Sequence, residues 1–237
     1  MFNRSTSNSH KYRIAYNKVT IDKDYTLKLI NNCGACTLNC YNTFTNYGNV
    51  IIKDNAYLDI DYYYTTTGKT IDTSINNGTI DVINGALGLL DSATLTNTGT
   101  ITLEGSSYLY IYNSTLSNKG TIDISNITNL YYWYNDGTFK LEGGSIFILP
   151  KSILEDTNKI GSAGYTFNDI TLNGTKDNPV NIVIPEDCKY ITDIDINNKE
   201  DLFYAIKEET GFTFNGNKNN VKFSWQKEDV KKQQNHL

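Results

Sequence analysis

Between residues 46 and 141 apolar and polar positions alternate in short bursts, and each burst opens on the same lead-in. An Asn-x-Gly triplet is followed by Thr or Asn, then by two apolar residues that flank a third, which is polar in all copies but the first. Five stretches fit: NYGNVII (46–52), NNGTIDV (76–82), NTGTITL (97–103), NKGTIDI (118–124) and NDGTFKL (135–141). A period of two, as in Ile80-Asp81-Val82, Ile101-Thr102-Leu103 and Ile122-Asp123-Ile124, predicts a short strand with one buried and one wet face. The outward column of this strand then reads Ile51, Asp81, Thr102, Asp123 and Lys140.

Two further apolar stretches accompany most bursts. Nine or ten residues past the glycine stand Leu58/Ile60, Leu87/Leu89, Leu109/Ile111 and Ile146/Ile148; two residues before the motif asparagine stand Phe44, Leu95, Leu116 and Trp133. One unit departs, with Ser74 at that last place and Ile75 beside it. Three inward stretches per unit predict a coil with three short faces, stacked on the next coil at about 4.8 Å. The motif glycines, 48, 78, 99, 120 and 137, are 30, 21, 21 and 17 residues apart, so the natural repeat is 21 with one enlarged and one shortened unit. A short-strand repeat near twenty residues is the mark of a solenoid.

The motif residues have physical reasons of their own. The glycine column marks a corner where positive φ or the lack of a side chain lets the backbone turn tightly. Asn46, Asn76, Asn97, Asn118 and Asn135 precede that corner by two, and stacked amides can hydrogen-bond along the axis. Composition agrees: 39% of the 237 residues are apolar, low for a sphere and natural for a thin coil, and Pro and Met are scarce at 3 and 1. The abundance of Asn, Thr, Ile and Tyr favours strands and turns over helix.

Past residue 142 the pattern loosens. In GYTFNDITLNGTKDNPVNIVIPED (164–187) the apolar positions Phe167, Ile170 and Leu172 precede a turn at Asn173-Gly174, and Val180, Ile182 and Ile184 follow it, which predicts further coils. In NNKEDLFYAIKEETG (197–211) Leu202, Phe203 and Ile206 among charges predict a short amphipathic helix, N-capped by Asn198 and stopped by Gly211. FTFNGNKNNVKFSW reads as a hairpin, and helix and hairpin together are expected to cap the open end of the stack. The expected organisation is an entry segment over 1–30, a solenoid over 31–196, a helix-plus-hairpin cap over 197–226 and a polar tail over 227–237.

The NxGTIxI units resemble those of bacterial surface β-solenoids, including the autotransporter-passenger and filamentous-adhesin families. FNDITLNGTKDNPVNIVI is similar to the coils of right-handed parallel β-helices of the pectate-lyase-like class. The resemblance covers about residues 40 to 196 and rests on turn and core positions. It implies a right-handed parallel β-helix displayed on a cell or particle surface, with adhesion, host attachment or glycan contact as its role. The opening MFNRSTSNSHKYRIAYNKVTID lacks the apolar run of a secretory signal. Two routes to a surface then stand: a start internal to a longer chain, or passage as part of a virus or phage particle.

Charge narrows the partners. A net charge of −5 and a pI of about 5.1, with basic clusters confined to the ends of the chain, point away from nucleic acid, and no stretch has the length and apolarity of a transmembrane span. Tyr108, Tyr110 and Tyr112 alternate with inward Leu109 and Ile111, so they are expected to point outward and are the candidate ligand-binding residues for a glycan or host-cell surface. Tyr62-Tyr63-Tyr64 and Tyr131-Tyr132-Trp133-Tyr134 add further rings. The alternative of a polysaccharide lyase or hydrolase rests on Asp81 and Asp123, two coils apart and hence about 9.6 Å along the stack, a separation compatible with an inverting pair. Arginine, however, is confined to Arg4 and Arg13. A structural spacer or fibre component is the third class. Cys33, Cys36 and Cys40 form C-x2-C-x3-C with Cys188 distant, a poor match to the paired thiols of a zinc site; a disulfide or simple burial are the other readings. No residue is assigned a catalytic, cofactor or metal role.

Overall fold

The computed structural model describes residues 12–31, 36–61, 73–128, 134–135, 137–152 and 169–226. Strands follow one another in coils. The first coil comprises β1 (Tyr12–Ile21) and β2 (Thr26–Ile30), the second β3 (Cys36–Asn46) and β4 (Asn49–Lys53). Next come β5 (Ala56–Asp61), β6 (Ser74–Asn76) and β7 (Thr79–Ile83), then β8 (Ala86–Leu90), β9 (Thr94–Asn97) and β10 (Thr100–Glu104). The following coils hold β11 (Tyr108–Ile111), β12 (Thr115–Asn118) and β13 (Thr121–Asp123), then β14 (Tyr134–Asn135), β15 (Thr138–Glu142) and β16 (Ile146–Ile148). The stack continues with β17 (Asp169–Asn173) and β18 (Val180–Ile184), and ends with helix α1 (Lys199–Thr210), β19 (Thr213–Gly216) and β20 (Val221–Trp225).

Each strand pairs in parallel with its counterparts in the neighbouring coils, giving three faces and a parallel β-helix. Face one runs β3-β5-β8-β11-β14, face two β3-β6-β9-β12-β15-β17-β19, and face three β2-β4-β7-β10-β13-β16-β18-β20. The eleven-residue β3 serves two faces, because Cys36–Cys40 pair with β5 and Thr45–Asn46 with β6. On face three Thr79 pairs with Thr100 and Thr100 with Thr121, the 21-residue repeat of the sequence.

The core is a set of one-residue-per-coil columns. On face three Leu27, Val50, Ile80, Ile101, Ile122, Phe147, Ile182 and Phe223 succeed one another in register, and from Val50 to Ile182 none is exposed. Leu38, Leu58, Leu87 and Leu109 do the same on face one, and Ser74, Leu95, Leu116, Phe139, Ile170 and Phe214 on face two. Ser74, the polar exception, is buried and its Oγ accepts from the Phe44 N–H at 3.0 Å. Asp81, Thr102 and Asp123 lie on the outer side of face three, half-buried.

The asparagines form a buried ladder at the corner between faces two and three. Nδ2 of Asn46 donates to Oδ1 of Asn76, Asn76 to Asn97 and Asn97 to Asn118, each at 2.7 Å. The same Nδ2 atoms donate to the carbonyls of Thr79, Thr100, Thr121 and Ile146 at 3.0–3.3 Å. Four unexposed amides are thereby satisfied in an otherwise apolar interior. Ile21 occupies this position before the ladder and Leu141 after it. None of the five motif glycines has positive φ. Their reason is close approach: a Cβ on Gly78 or Gly99 would stand 2.0 Å from the carbonyl oxygen of the glycine one coil below.

Several expectations are corrected. NDGTFKL is a copy of the motif in sequence but not in place: Thr138 pairs with Thr115 and Phe139 with Leu116, so this segment lies on face two. Lys140 is beside Ser117, not above Asp123, and Phe139 holds the core position assigned to Trp133, which lies outside the described residues. The face-three strand is instead GGSIFIL, whose inward residues are Phe147 and Leu149; Ile146 and Ile148 point outward because Ile146 pairs with Thr121. FTFNGNKNNVKFSW is not a hairpin, since β19 pairs with β17 and β20 with β18, one on each face. The stack accordingly extends through Trp225, and at its other end β1 and β2 already form a coil where an entry segment was expected.

The helix stands as its caps require. Asn198 accepts from the Asp201 N–H, and Gly211 takes φ 75°. Leu202, Phe203 and Ile206 are buried, and the Phe203 ring lies 5.4 Å from Phe214 and 5.1 Å from Phe223. In chain order α1 comes between β18 of face three and β19 of face two, where a face-one strand would otherwise run.

Two measurements test this arrangement. Ile122→Ala should lose about 2–5 kcal/mol in denaturant melts, whereas Asp123→Ala, which gives up one hydrogen bond from the Ser125 N–H, should lose about 1 kcal/mol; equal losses would reverse the faces. Asn97→Asp places carboxylate oxygens against Asn118 Oδ1 and the Thr121 carbonyl, raising that carboxyl above its ordinary value of about 3.9. A raised folded-state value stabilises below the unfolded one, so the variant's melting temperature, compared with that of the unsubstituted chain, should fall as pH rises from about 4 toward neutrality. A deficit that does not vary with pH would refute the ladder.

Candidate functional site

On face one the residues between the inward leucines and isoleucines form the outer surface. β5 contributes Tyr57, Asp59 and Asp61, β8 contributes Leu90, and β11 contributes Tyr108 and Tyr110, with Tyr112 just past its end, while Ala86 and Gly88 of β8 are buried on that side. Register places Ala86 between Tyr57 and Tyr108 and Gly88 between Asp59 and Tyr110. A small residue thus sits between two large ones in each row. A Cβ on Gly88 would come within 2.6 Å of Asp59 Oδ1, so the glycine yields its space to that carboxylate.

The three tyrosines point outward as the alternation requires, but they are not equally exposed. Tyr108 and Tyr110 are half-buried, with ring planes 3° from parallel and centroids 5.9 Å apart, whereas Tyr112 is 43% exposed. The two outward tyrosines of this strand are stacked ring against ring, a pair of fixed spacing. Tyr62-Tyr63-Tyr64 and Tyr131-Tyr132 lie outside the described residues, and Tyr134 pairs with Tyr110 through its backbone.

Beyond Tyr112 the chain turns the corner into face two. Asp91, Ser92 and Asn113 adopt positive φ of 50°, 73° and 45° there, a left-handed conformation that Asp and Asn tolerate through short polar side chains. The corner encloses an open cleft of about 320 Å³ lined by Ser92, Ala93, Asn113, Ser114, Thr115, Gly137 and Thr138. No sequence reading had found it. Its residues come from three successive coils, and only the stacking brings them together.

The acidic column is built differently. Asp81 and Asp123 flank Thr102 in register on face three. Burial pushes the Asp81 carboxyl up, opposed by a hydrogen bond from Thr102 and by the charge of Lys53. The Asp123 carboxylate accepts from the Ser125 N–H at 2.8 Å. Each carboxylate is thus engaged by the scaffold. Cys36, Cys40 and Cys188 are free thiols, Cys33 lying outside the described residues, and burial raises all three above the usual thiol value. The Cys40 thiol donates to the Thr43 carbonyl. Among the described residues no three His, Cys, Asp or Glu side chains come together as a metal site, and no helix is long and apolar enough to cross a membrane.

Comparison with known proteins gives no match: no family model matches the chain, and no curated protein or solved structure does either.

The Asp81 environment yields a signed expectation. A carboxyl whose folded value is raised stabilises the fold below its unfolded value of about 3.9 and loses that contribution as pH rises through the folded value. Asp81→Asn keeps the acceptor for Thr102 without the charge. Its melting temperature should exceed that of the unsubstituted chain at pH 7 and converge with it below about pH 4. A gap that persists at acid pH would show that burial of the charge is not the cause.

Proposed function

We propose that this β-solenoid is a non-catalytic binding module that contacts a glycan or host-cell surface through face one. The observation that carries the reading is the pair of parallel rings of Tyr108 and Tyr110, continued by the exposed Tyr112, on one strand. Aromatic faces stack on the C–H faces of sugars, while phenolic hydroxyls bond to their oxygens. A strand that holds two rings parallel before a ligand arrives has less conformational entropy to lose on binding. A solenoid offers an extended surface along its stack, and the neighbouring Tyr57, Asp59 and Asp61 widen that surface by two coils. Adhesion at a cell or particle surface is the setting this reading implies.

Changing Tyr108, Tyr110 and Tyr112 together to Ser should abolish binding to a glycan array or to host cells and shift the unfolding midpoint only modestly, since the rings lie outside the core columns. Binding that survives the triple change would remove face one from the reading. Turnover of a polysaccharide that is lost with Asp81→Asn or Asp123→Asn would replace it with the enzyme reading.

A further inference from the structure

We infer that the cleft at the corner between faces one and two is a subsite for a neutral hexose unit, continuous with the tyrosine face. This inference rests on the binding-module reading and narrows its ligand to an uncharged saccharide.

The chemistry of the cleft selects the ligand. Its side chains are hydroxyls, one primary amide and a methyl group, from Ser92, Asn113, Ser114, Thr115, Thr138 and Ala93, and none of them is charged. A lining of neutral donors and acceptors suits a ligand with many hydroxyls and no charge. Nothing in it compensates a carboxylate or sulfate, and the acidic Asp91 next to Ser92, like Asp59 and Asp61 on the adjoining face, opposes an anionic sugar. A lipid or flat heteroaromatic ligand would need an apolar lining, which Ala93 alone does not supply. At about 320 Å³ the cleft lies at the lower end of the range of small-molecule sites, about 300–1,000 Å³.

Geometry supplies the order of contacts. Thr115 and Thr138 are in register on β12 and β15, so their side chains stand one strand spacing apart, about 4.8 Å, and both are partly exposed. Two hydroxyls at that spacing can each bond to one of two neighbouring sugar hydroxyls. The Ser114 hydroxyl donates to the Tyr112 carbonyl at 2.8 Å and so fixes the backbone between ring and cleft. Gly137 keeps the next coil close, because a Cβ there would lie 2.2 Å from the Ser114 carbonyl oxygen. Asn113 stands at the mouth, exposed, directly after Tyr112. A saccharide stacked on Tyr112 therefore meets the hydroxyl pair with its next ring.

The test uses the whole chain and defined probes: gluco-, galacto- and manno-configured tetrasaccharides, and a galacturonate tetrasaccharide of the same length, measured by calorimetry. At least one neutral probe should bind, and the uronate should bind at least tenfold more weakly. Thr115→Val with Thr138→Val preserves shape and strand preference while removing both hydroxyls; it should weaken neutral binding at least tenfold with an unchanged circular-dichroism spectrum. Thr115→Ser with Thr138→Ser should restore it. Undiminished binding by the valine variant, with binding lost in the tyrosine triple variant, overturns the subsite and leaves the face-one reading standing. Uronate binding as tight as neutral binding overturns the assignment of ligand class. Failure of every probe to bind the unsubstituted chain overturns the subsite, and binding by the same chain to the glycan array or to host cells then decides the face-one reading by itself.

Discussion

The buried amide ladder at one corner constrains everything else in this molecule. An asparagine side chain in an apolar interior is costly unless its N–H groups and its oxygen are engaged. Here the amide-to-amide bonds run from coil to coil, from Asn46 through Asn76 and Asn97 to Asn118. A slip of one residue would bury unsatisfied donors and turn apolar side chains outward. The glycine two positions on enforces the same alignment from the backbone side, because its Cα approaches the carbonyl of the coil below more closely than any side chain would permit. Together they fix where each coil turns. The columns on all three faces, including the tyrosines and the cleft, inherit their alignment from that corner.

The fold was legible because its rule is local and repeated. Alternation after each glycine identified Ile80, Val82, Ile101, Leu103, Ile122 and Ile124 as interior, and all six are fully buried. The caps of α1 were legible for the same reason, since Asn198 and Gly211 act within a few residues of themselves. What sequence could not supply was the face on which a motif lands. Asn135-Asp136-Gly137-Thr138-Phe139 satisfies the pattern at a different corner, where Gly137 is crowded by Ser114 in the way Gly99 is crowded by Gly78. The shortened spacing of 17 residues was the trace of that displacement. The same limit made a hairpin of β19 and β20, whose turn chemistry is ordinary but whose partners lie a whole coil away.

Of the candidate site, the outward direction of Tyr108, Tyr110 and Tyr112 followed from alternation alone. Their unequal exposure did not, because it depends on which residues stacking sets beside each ring, Ala86 beside Tyr108 and Gly88 beside Tyr110. The corner cleft was invisible in sequence for a stronger reason. Ser92, Asn113 and Thr138 are ordinary turn and strand residues, 21 and 25 positions apart, and line one cleft only once stacking has made them neighbours. In a solenoid, surface chemistry is written across the repeats while fold is written along them.

The direction of the inter-coil bonds also determines how the protein bears load. Every strand on all three faces bonds only to the coil before and the coil after, so the bonds lie along the stack. Tension applied between the two ends of the chain therefore falls on the outermost coil, whose bonds open one after another like a zipper while the coils behind it remain shielded. In the regular part of the stack each coil that yields frees 21 residues, about 70 Å of extended chain. Such a molecule lengthens in steps at modest force and dissipates a sudden pull instead of snapping.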